Sequence, residues 1–371
     1  MIFFSRHRCG FSLFMTLALF VTLQAFALPA GAAGGSPAPE RKYIKWVDFN
    51  APASLMKRLV ELDTAAHSDP SAPQVRWIEA LAYLGARCGG DFKEYKGRAL
   101  ERLLAELASG KTMDGLTAGM KHYAYYLEAY TAALGGLVGE YEAETEVSGR
   151  RVWEKRYGLR GYLPLARGFD FSDYEDFGSG RSYGYRRSHL GHDLMALTGT
   201  PVMAAESGVV EELGWNQYGG WRVGIRSFDG KRYWYYAHLR QNRPYAEGLA
   251  RGNVVMAGDV IGYVGHTGYS RRENTNGIDE SHLHWGLQLI FDESQKDGNN
   301  QIWIDLYEIT RLLSSRRSEA VRNAETKEYT RVWGYRELVP DGSFVPPELK
   351  KEGRAEAQTK QNPGPPPMVS I

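Results

Sequence analysis

The chain has 371 residues, and its formal charge is only +1 because 45 lysines and arginines nearly balance 44 aspartates and glutamates. That length is sufficient for two domains, each with its own core. The balanced charge excludes the strongly basic proteins that bind nucleic acid through electrostatics alone, so we expect no nucleic-acid partner.

The N-terminal segment, residues 1–32, is predicted to be an export signal. Arg6 and Arg8 precede an uncharged apolar run, and Ala30-Gly-Ala32 forms a small-x-small cleavage site. A retained membrane anchor is the alternative, because the apolar run Phe11–Leu28 is just long enough to span a bilayer. Either way the protein is predicted to be secreted or held in the cell envelope. Cleavage would leave Cys88 as the single cysteine, so no intramolecular disulfide can form.

Residues 33–42 are small and proline-rich, which is typical of a linker. Residues 43–148 are predicted to form a helical domain. Four segments place apolar residues three and four apart, which indicates a bundle of four or five helices: 54–62, 75–84, 99–107 and 120–141. No cluster of metal-binding residue types lies in this domain, so we expect it to be separable from the chemistry, and a chain that begins near Arg160 should keep the site.

Residues 149–182 are predicted to be a connector rich in tyrosine, glycine and phenylalanine. Residues 183–316 are predicted to form the second domain, built mainly of short strands divided by glycines. The predicted strands are Val202–Leu213, Trp221–Ser227, Lys231–His238, Val254–Val264 and His282–Ile290, and Phe228-Asp-Gly230 is a hairpin turn. Trp303–Ser315 has the pattern of an amphipathic helix. Residues 317–371 form a C-terminal extension whose proline-rich part, Gly342–Ile371, is predicted to be disordered. The predicted fold class is therefore α+β and multidomain, with a helical domain followed by an antiparallel β-sandwich.

Five of the nine histidines fall in three clusters within the strand-rich region. His189 and Asp193 are four residues apart, and His282 and His284 are two apart, so each pair shares one face of an extended strand. His238 lies between these clusters. The spacing can bring two imidazoles and a carboxylate to one metal, and three protein ligands with an open fourth position are typical of catalytic zinc.

These motifs resemble those of the zinc-dependent peptidoglycan endopeptidases of the lysostaphin and LytM type, peptidase family M23, whose signature is HxGxD followed downstream by HxH. Four further segments carry the resemblance: Gly199–Ala204, Ser207–Val210, Tyr235–Leu239 and Gly258–Gly265. Together the matching segments run from about Tyr183 to Phe291. The resemblance implies a zinc metallopeptidase domain with an open groove.

Residue by residue, the resemblance implies that His189, Asp193 and His284 hold one Zn²⁺ per chain and that His282 and His238 are catalytic. The implied reaction is hydrolysis of peptide bonds in bacterial peptidoglycan, in its stems or crossbridges. His192 departs from the family pattern, which has an apolar residue there; strand alternation turns it away from the metal, whereas a bent loop would make it a spare ligand. The sequence does not determine the cleaved bond or the oligomeric state.

Two other classes of protein share part of this pattern. A non-catalytic wall-binding or activator protein could use the same fold, although no expected ligand or catalytic histidine is missing here. A cupin-like oxidoreductase also uses HxH, but its motif requires a glutamate four or five residues after the second histidine, where this chain has Gln288 and Leu289.

Overall fold

The computed structural model describes residues 43–182, 186–298 and 300–337. The predicted export signal and linker, and the proline-rich tail, lie outside these residues. In the described part of the chain, no helix has both the length and the apolar character needed to cross a membrane.

Within the described residues, five α-helices precede residue 135, in agreement with the four or five that the apolar spacing predicted, and a sixth follows the large sheet. Their apolar faces are buried: in the first helix, for example, Leu55, Met56 and Leu59 are at most 5% exposed. The helices are α1 (Ala53–Ser68), α2 (Trp77–Arg87), α3 (Arg98–Ala108), α4 (Met113–Thr117), α5 (Tyr123–Leu134) and α6 (Tyr307–Leu313).

The prediction of helical structure up to residue 141 was wrong at its C-terminal end, because α5 stops at Leu134. Gly135 and Gly136 end the helix, and residues 140–146 then alternate glutamates with other residues, which is the period of a strand. Ser148 and Gly149 both have positive φ angles and form the turn of a hairpin. The segments on either side of that turn are strands rather than a helix end and an irregular connector.

The strands are β1 (Val138–Val147), β2 (Arg150–Leu159), β3 (Ser172–Asp173), β4 (Gly180–Ser182), β5 (Arg186–Ser188), β6 (His192–Met195), β7 (Pro201–Met203), β8 (Gly208–Asn216), β9 (Gly220–Ser227), β10 (Arg232–Leu239), β11 (Val254–Val255), β12 (Val260–Tyr263), β13 (His282–Leu289), β14 (Ile302–Ile304), β15 (Ala320–Arg322), β16 (Tyr329–Arg331) and β17 (Tyr335–Arg336). Two predicted long strands are each divided, into β7 with β8 and into β11 with β12. The segment predicted as one helix, Trp303–Ser315, contains the end of β14 as well as α6.

The largest sheet has eight antiparallel strands in the order β11-β8-β9-β10-β13-β6-β3, with β14 also paired to β13. A second sheet has the order β17-β1-β2, and three two-stranded sheets complete the described set. The structure therefore confirms antiparallel sheets after a helical N-terminal region. Their packing as a sandwich stays a prediction.

Strand β13 lies in the middle of the large sheet and separates the core from the groove. Leu283, Trp285 and Leu287 are completely buried on its core face, where Trp285 stacks on Trp234 with ring centroids 5.4 Å apart. His282 and His284 therefore lie on the opposite face, as the alternation predicted.

The helices and the large sheet share one core, and the described residues form one compact unit. Buried Arg232 of β10 donates to the carbonyl oxygens of Thr131 and Ala132 at the C-terminal end of α5, at 3.2 and 2.8 Å, and pairs with buried Glu206. A Cβ at Gly136 would lie 1.7 Å from the Glu206 carboxylate, so a larger residue there would displace that carboxylate from its pair with Arg232. These contacts count against the expectation that the helical segment is separable from the site.

Candidate metal centre and active groove

The three residues predicted to bind metal lie together in the fold. The ligand atoms of His189, Asp193 and His284 all lie within 4.8 Å of one another. His189 Nε2 is 3.1 Å from Asp193 Oδ1 and 3.0 Å from His284 Nδ1, and His284 Nδ1 is 2.9 Å from the same Asp193 oxygen. Two imidazole nitrogens and one carboxylate oxygen thus face a single point.

Strand pairing brings these residues together. Asp193 on β6 lies directly opposite His284 on β13, so their side chains share the groove face of the sheet. His189 reaches the same point from the segment just before β6. Gly191 lets the His284 ring come close, because a Cβ there would lie 2.5 Å from two ring atoms of His284.

Two residues that the sequence did not mark, Asp176 and Arg181, contact the predicted metal ligands. His189 Nδ1 lies 3.1 Å from Asp176 Oδ1, which fixes the ring and directs Nε2 toward Asp193 and His284. Arg181 pairs with Asp176 and lies 3.4 Å from Asp193 Oδ2. Both residues fall in the segment predicted to be a connector, where no motif marked them.

The donor set suits zinc. Zn–N and Zn–O bonds of about 2.0–2.2 Å in a tetrahedral site place ligand atoms roughly 3.3–3.5 Å apart. The observed separations of 2.9–3.1 Å are close to that value. A second nitrogen bonded to a carboxylate, as in His189, is also usual for metal-binding histidines.

The two histidines predicted to be catalytic lie beside this centre. The His238 and His282 ring centroids are 4.8 Å apart, and His282 Nε2 is 3.9 Å from Asp193 Oδ1. His238 Nδ1 and His282 Nδ1 each lie 2.9 Å from a backbone carbonyl, that of Thr267 and that of Glu280 respectively. Because a carbonyl can only accept, each Nδ1 carries the hydrogen, and Nε2 of the neutral ring is left to accept a proton.

A β-bulge turns His238 toward the groove. Tyr236 pairs with Val223 and Leu239 with Trp221, so β10 has one residue more than β9 in this interval. His238 itself has a φ of +59°, and its N–H donates to the carbonyl of Gly219. Regular alternation would have placed His238 on the core side with Tyr236.

Burial and close contacts shift the pKa values at the centre. Burial alone would raise the pKa of Asp193, but hydrogen bonds from His189 and His284 hold it well below its usual range. Burial lowers the pKa of His284, and burial together with the nearby His282 lowers that of His238 well below its usual value. His238 and His284 are therefore neutral at pH 7, which is the form that binds a metal or accepts a proton.

His192 lies on the opposite face of β6 from Asp193. Its side chain is fully buried, its Nε2 is 3.0 Å from Asp173 Oδ2, and its Nδ1 has no hydrogen-bond partner among the described residues. It contributes no atom to the group formed by His189, Asp193 and His284. The contact with Asp173 joins β6 to β3.

The centre opens into a groove of about 780 Å³. Tyr235 forms part of its wall, with its ring 5.9 Å from that of His284. Glu212 also lines the groove, where it forms ion pairs with Arg222 and Lys296. The lining of this groove includes all five candidate site residues: His189, Asp193, His238, His282 and His284.

The sequence model of peptidase family M23 matches residues 187–298. The L-Ala–D-Glu endopeptidase of Bacillus subtilis (strain 168) is 43% identical over 125 residues, which cover 34% of this chain and 37% of that protein. Lysostaphin of Staphylococcus simulans is 40% identical over 83 residues, or 22% of this chain and 16% of that protein. The matches thus span well under half of each relative.

Among solved structures, a protein of Ruminococcus gnavus assigned as the glycyl-glycine endopeptidase LytM covers 72% of this chain and 89% of its own, with 25% identity and a TM-score of 0.50. That structural likeness covers a larger part of the chain than residues 187–298, which the family's sequence model matches. The sequence match, this structural likeness and the cluster of His189, Asp193 and His284 agree, and residues 187–298 match a peptidase domain of family M23.

Proposed function

We propose that this protein is an exported zinc endopeptidase that hydrolyses peptide bonds in bacterial peptidoglycan. The observation that carries the proposal is the convergence of His189, Asp193 and His284 at one point, with His238 and His282 beside it in the same groove. The relatives' names support the substrate class, since one is named for an L-Ala–D-Glu bond and another is lysostaphin.

His189, Asp193 and His284 would hold one Zn²⁺ per chain. A zinc ion in such a site supplies Lewis acidity, which lowers the pKa of a water molecule to about 7 and polarises a peptide carbonyl. Asp176 and Arg181 keep the ligands in place, since Asp176 orients His189 and Arg181 pairs with Asp193.

The two other histidines would move the protons. His282 Nε2 would accept a proton from the attacking water, because its Nδ1 is held by the Glu280 carbonyl. His238 would stabilise the oxyanion or pass a proton to the leaving amine. Since Nε2 of neutral His238 carries no hydrogen, His238 must first gain a proton to do either.

The test combines metal analysis with digestion of purified sacculi and mass spectrometry of the released fragments. We expect about one zinc per chain and new amine and carboxyl ends in the peptide part of the wall. Alanine at His189, Asp193 or His284 should remove both metal and hydrolysis, because fewer than three protein ligands remain. A protein that binds zinc and wall but releases no fragments would instead support the non-catalytic alternative.

A further inference from the structure

Arg187 lines the same groove as the proposed catalytic histidines. It lies on β5, two residues before His189. Its guanidinium contacts two aromatic rings, with Cζ 5.4 Å from the ring centroid of Tyr218 and 5.1 Å from that of Tyr269. Its Nη2 also donates a 2.6 Å hydrogen bond to the Tyr269 hydroxyl. The side chain is therefore fixed rather than extended into solvent.

The charge of Arg187 has no acidic partner in the described residues. The other groove-lining cations are paired: Arg181 with Asp176 and Asp193, and both Arg222 and Lys296 with Glu212. No carboxylate oxygen among the described residues lies within 4.0 Å of Arg187, and its buried Nε has no hydrogen-bond partner there. A partly buried guanidinium with unused donors is expensive to keep unless an anion joins it.

The two tyrosines are held in place by their backbones. Tyr218 lies in the turn between β8 and β9, and Tyr269 lies in the loop after β12. The N–H of Ser270 donates to the carbonyl of Gln217 at 3.0 Å, which joins the two segments. Tyr269 has a φ of +47°, a conformation that bulky residues rarely adopt. Its ring centroid is 6.0 Å from that of His238, so Arg187 is held near the reacting end of the groove.

We infer that Arg187 binds a carboxylate of the substrate close to the scissile bond, and that the substrate is an acidic peptide. This inference rests on the proposed peptidase function and specifies its substrate class. A guanidinium presents several N–H donors in a plane and always stays charged, so it recognises a carboxylate through paired hydrogen bonds. A peptide crossbridge made only of glycine has no side-chain carboxylate, so it would leave the charge of Arg187 without an anion.

The test uses two stem peptides that differ at one acidic residue, which carries a free carboxylate in one peptide and a carboxamide in the other. We expect wild-type kcat/KM to be about 10- to 100-fold higher for the carboxylate peptide, the usual range for a hydrogen-bonded charge. Arg187→Met should reduce this preference to near one by lowering kcat/KM for the carboxylate peptide alone. Arg187→Lys should keep part of the preference, since it retains charge but loses the planar fork.

Arg272→Met is the matched control, because it removes the same charge from an exposed position on the loop that carries Tyr269. It should keep the full preference. Equal wild-type cleavage of the two peptides, or an Arg187→Met protein that loses activity on both alike, would overturn the inference and leave Arg187 as a support for Tyr269. Sacculi digested in parallel separate the two proposals: failure to cleave sacculi and both peptides overturns the proposed function itself.

Discussion

Replacing Gly191 with alanine should damage the metal centre by displacing a ligand. The new Cβ would lie 2.5 Å from Cε1 and Nε2 of His284 and 2.9 Å from the carbonyl oxygen of Trp285. Carbon atoms in normal contact are about 3.5–4.0 Å apart, so the ring must move by roughly 1 Å. It has little space for this, because the Tyr235 ring lies 5.9 Å away on one side and the His189 ring 4.9 Å away on another.

Metal sites tolerate changes of only about 0.2 Å in ligand distance, so we expect zinc affinity to fall by about 10- to 100-fold or more. The assay is competition with a zinc chelator, with circular dichroism to show that the fold persists. Gly180→Ala is the control, since a Cβ there has no atom within 4 Å. If Gly191→Ala binds zinc as tightly as Gly180→Ala, then the close approach of His284 is not what requires glycine, and the reasoning fails.

Three further predictions address the catalytic residues, the shared core and pH. Alanine at His282 or His238 should lower kcat by about 10²- to 10⁴-fold with zinc retained; loss of zinc on metal analysis would show that the residue is a ligand. A chain that begins at Arg160 should be unfolded or insoluble, because Arg232 and Glu206 lose their contacts with α5; a soluble truncated protein that binds zinc would restore the prediction of a separable domain. In the folded protein, burial holds the pKa values of His238 and His284 below 6.5, the ordinary value for histidine. As the pH falls below 6.5, these two residues therefore gain protons in the unfolded chain before they do so in the folded protein. The unfolding free energy of the zinc-free protein should then fall by roughly 1 kcal/mol per pH unit for each residue, and urea titrations that show no change between pH 6.5 and 5 would contradict this.

The sequence predicts the parts of the site that follow from local periodicity. The alternation along β13 placed His282 and His284 on one face, and the same rule on β6 turned His192 away from Asp193; the structure agrees on both points. These predictions succeed because side-chain direction in a regular strand depends only on residue spacing.

The residues that the sequence analysis missed depend on contacts between distant segments. Asp176, Arg181 and Arg187 lie outside any motif, and their roles arise only when the segment before β6 packs against β13 and two loops. The hairpin of β1 and β2, by contrast, could have been predicted, because its pattern is present in the sequence. Alternating glutamates before Ser148-Gly149 have the period of a strand, but they follow a long helical pattern that was extended too far.

The bulge in β10 changes which residues of that strand belong to the core. Before it, the core receives even-numbered residues, Trp234 and Tyr236; after it, the core receives odd-numbered Leu239. A single extra residue thus lets one strand present His238 to the groove while both of its ends still fill the interior. Deleting His238 itself would restore a regular strand, because Ala237, which lies opposite His284, would still face the groove and Leu239 would still face the core. A deletion of one residue would therefore remove the proposed catalytic histidine while the core stays filled.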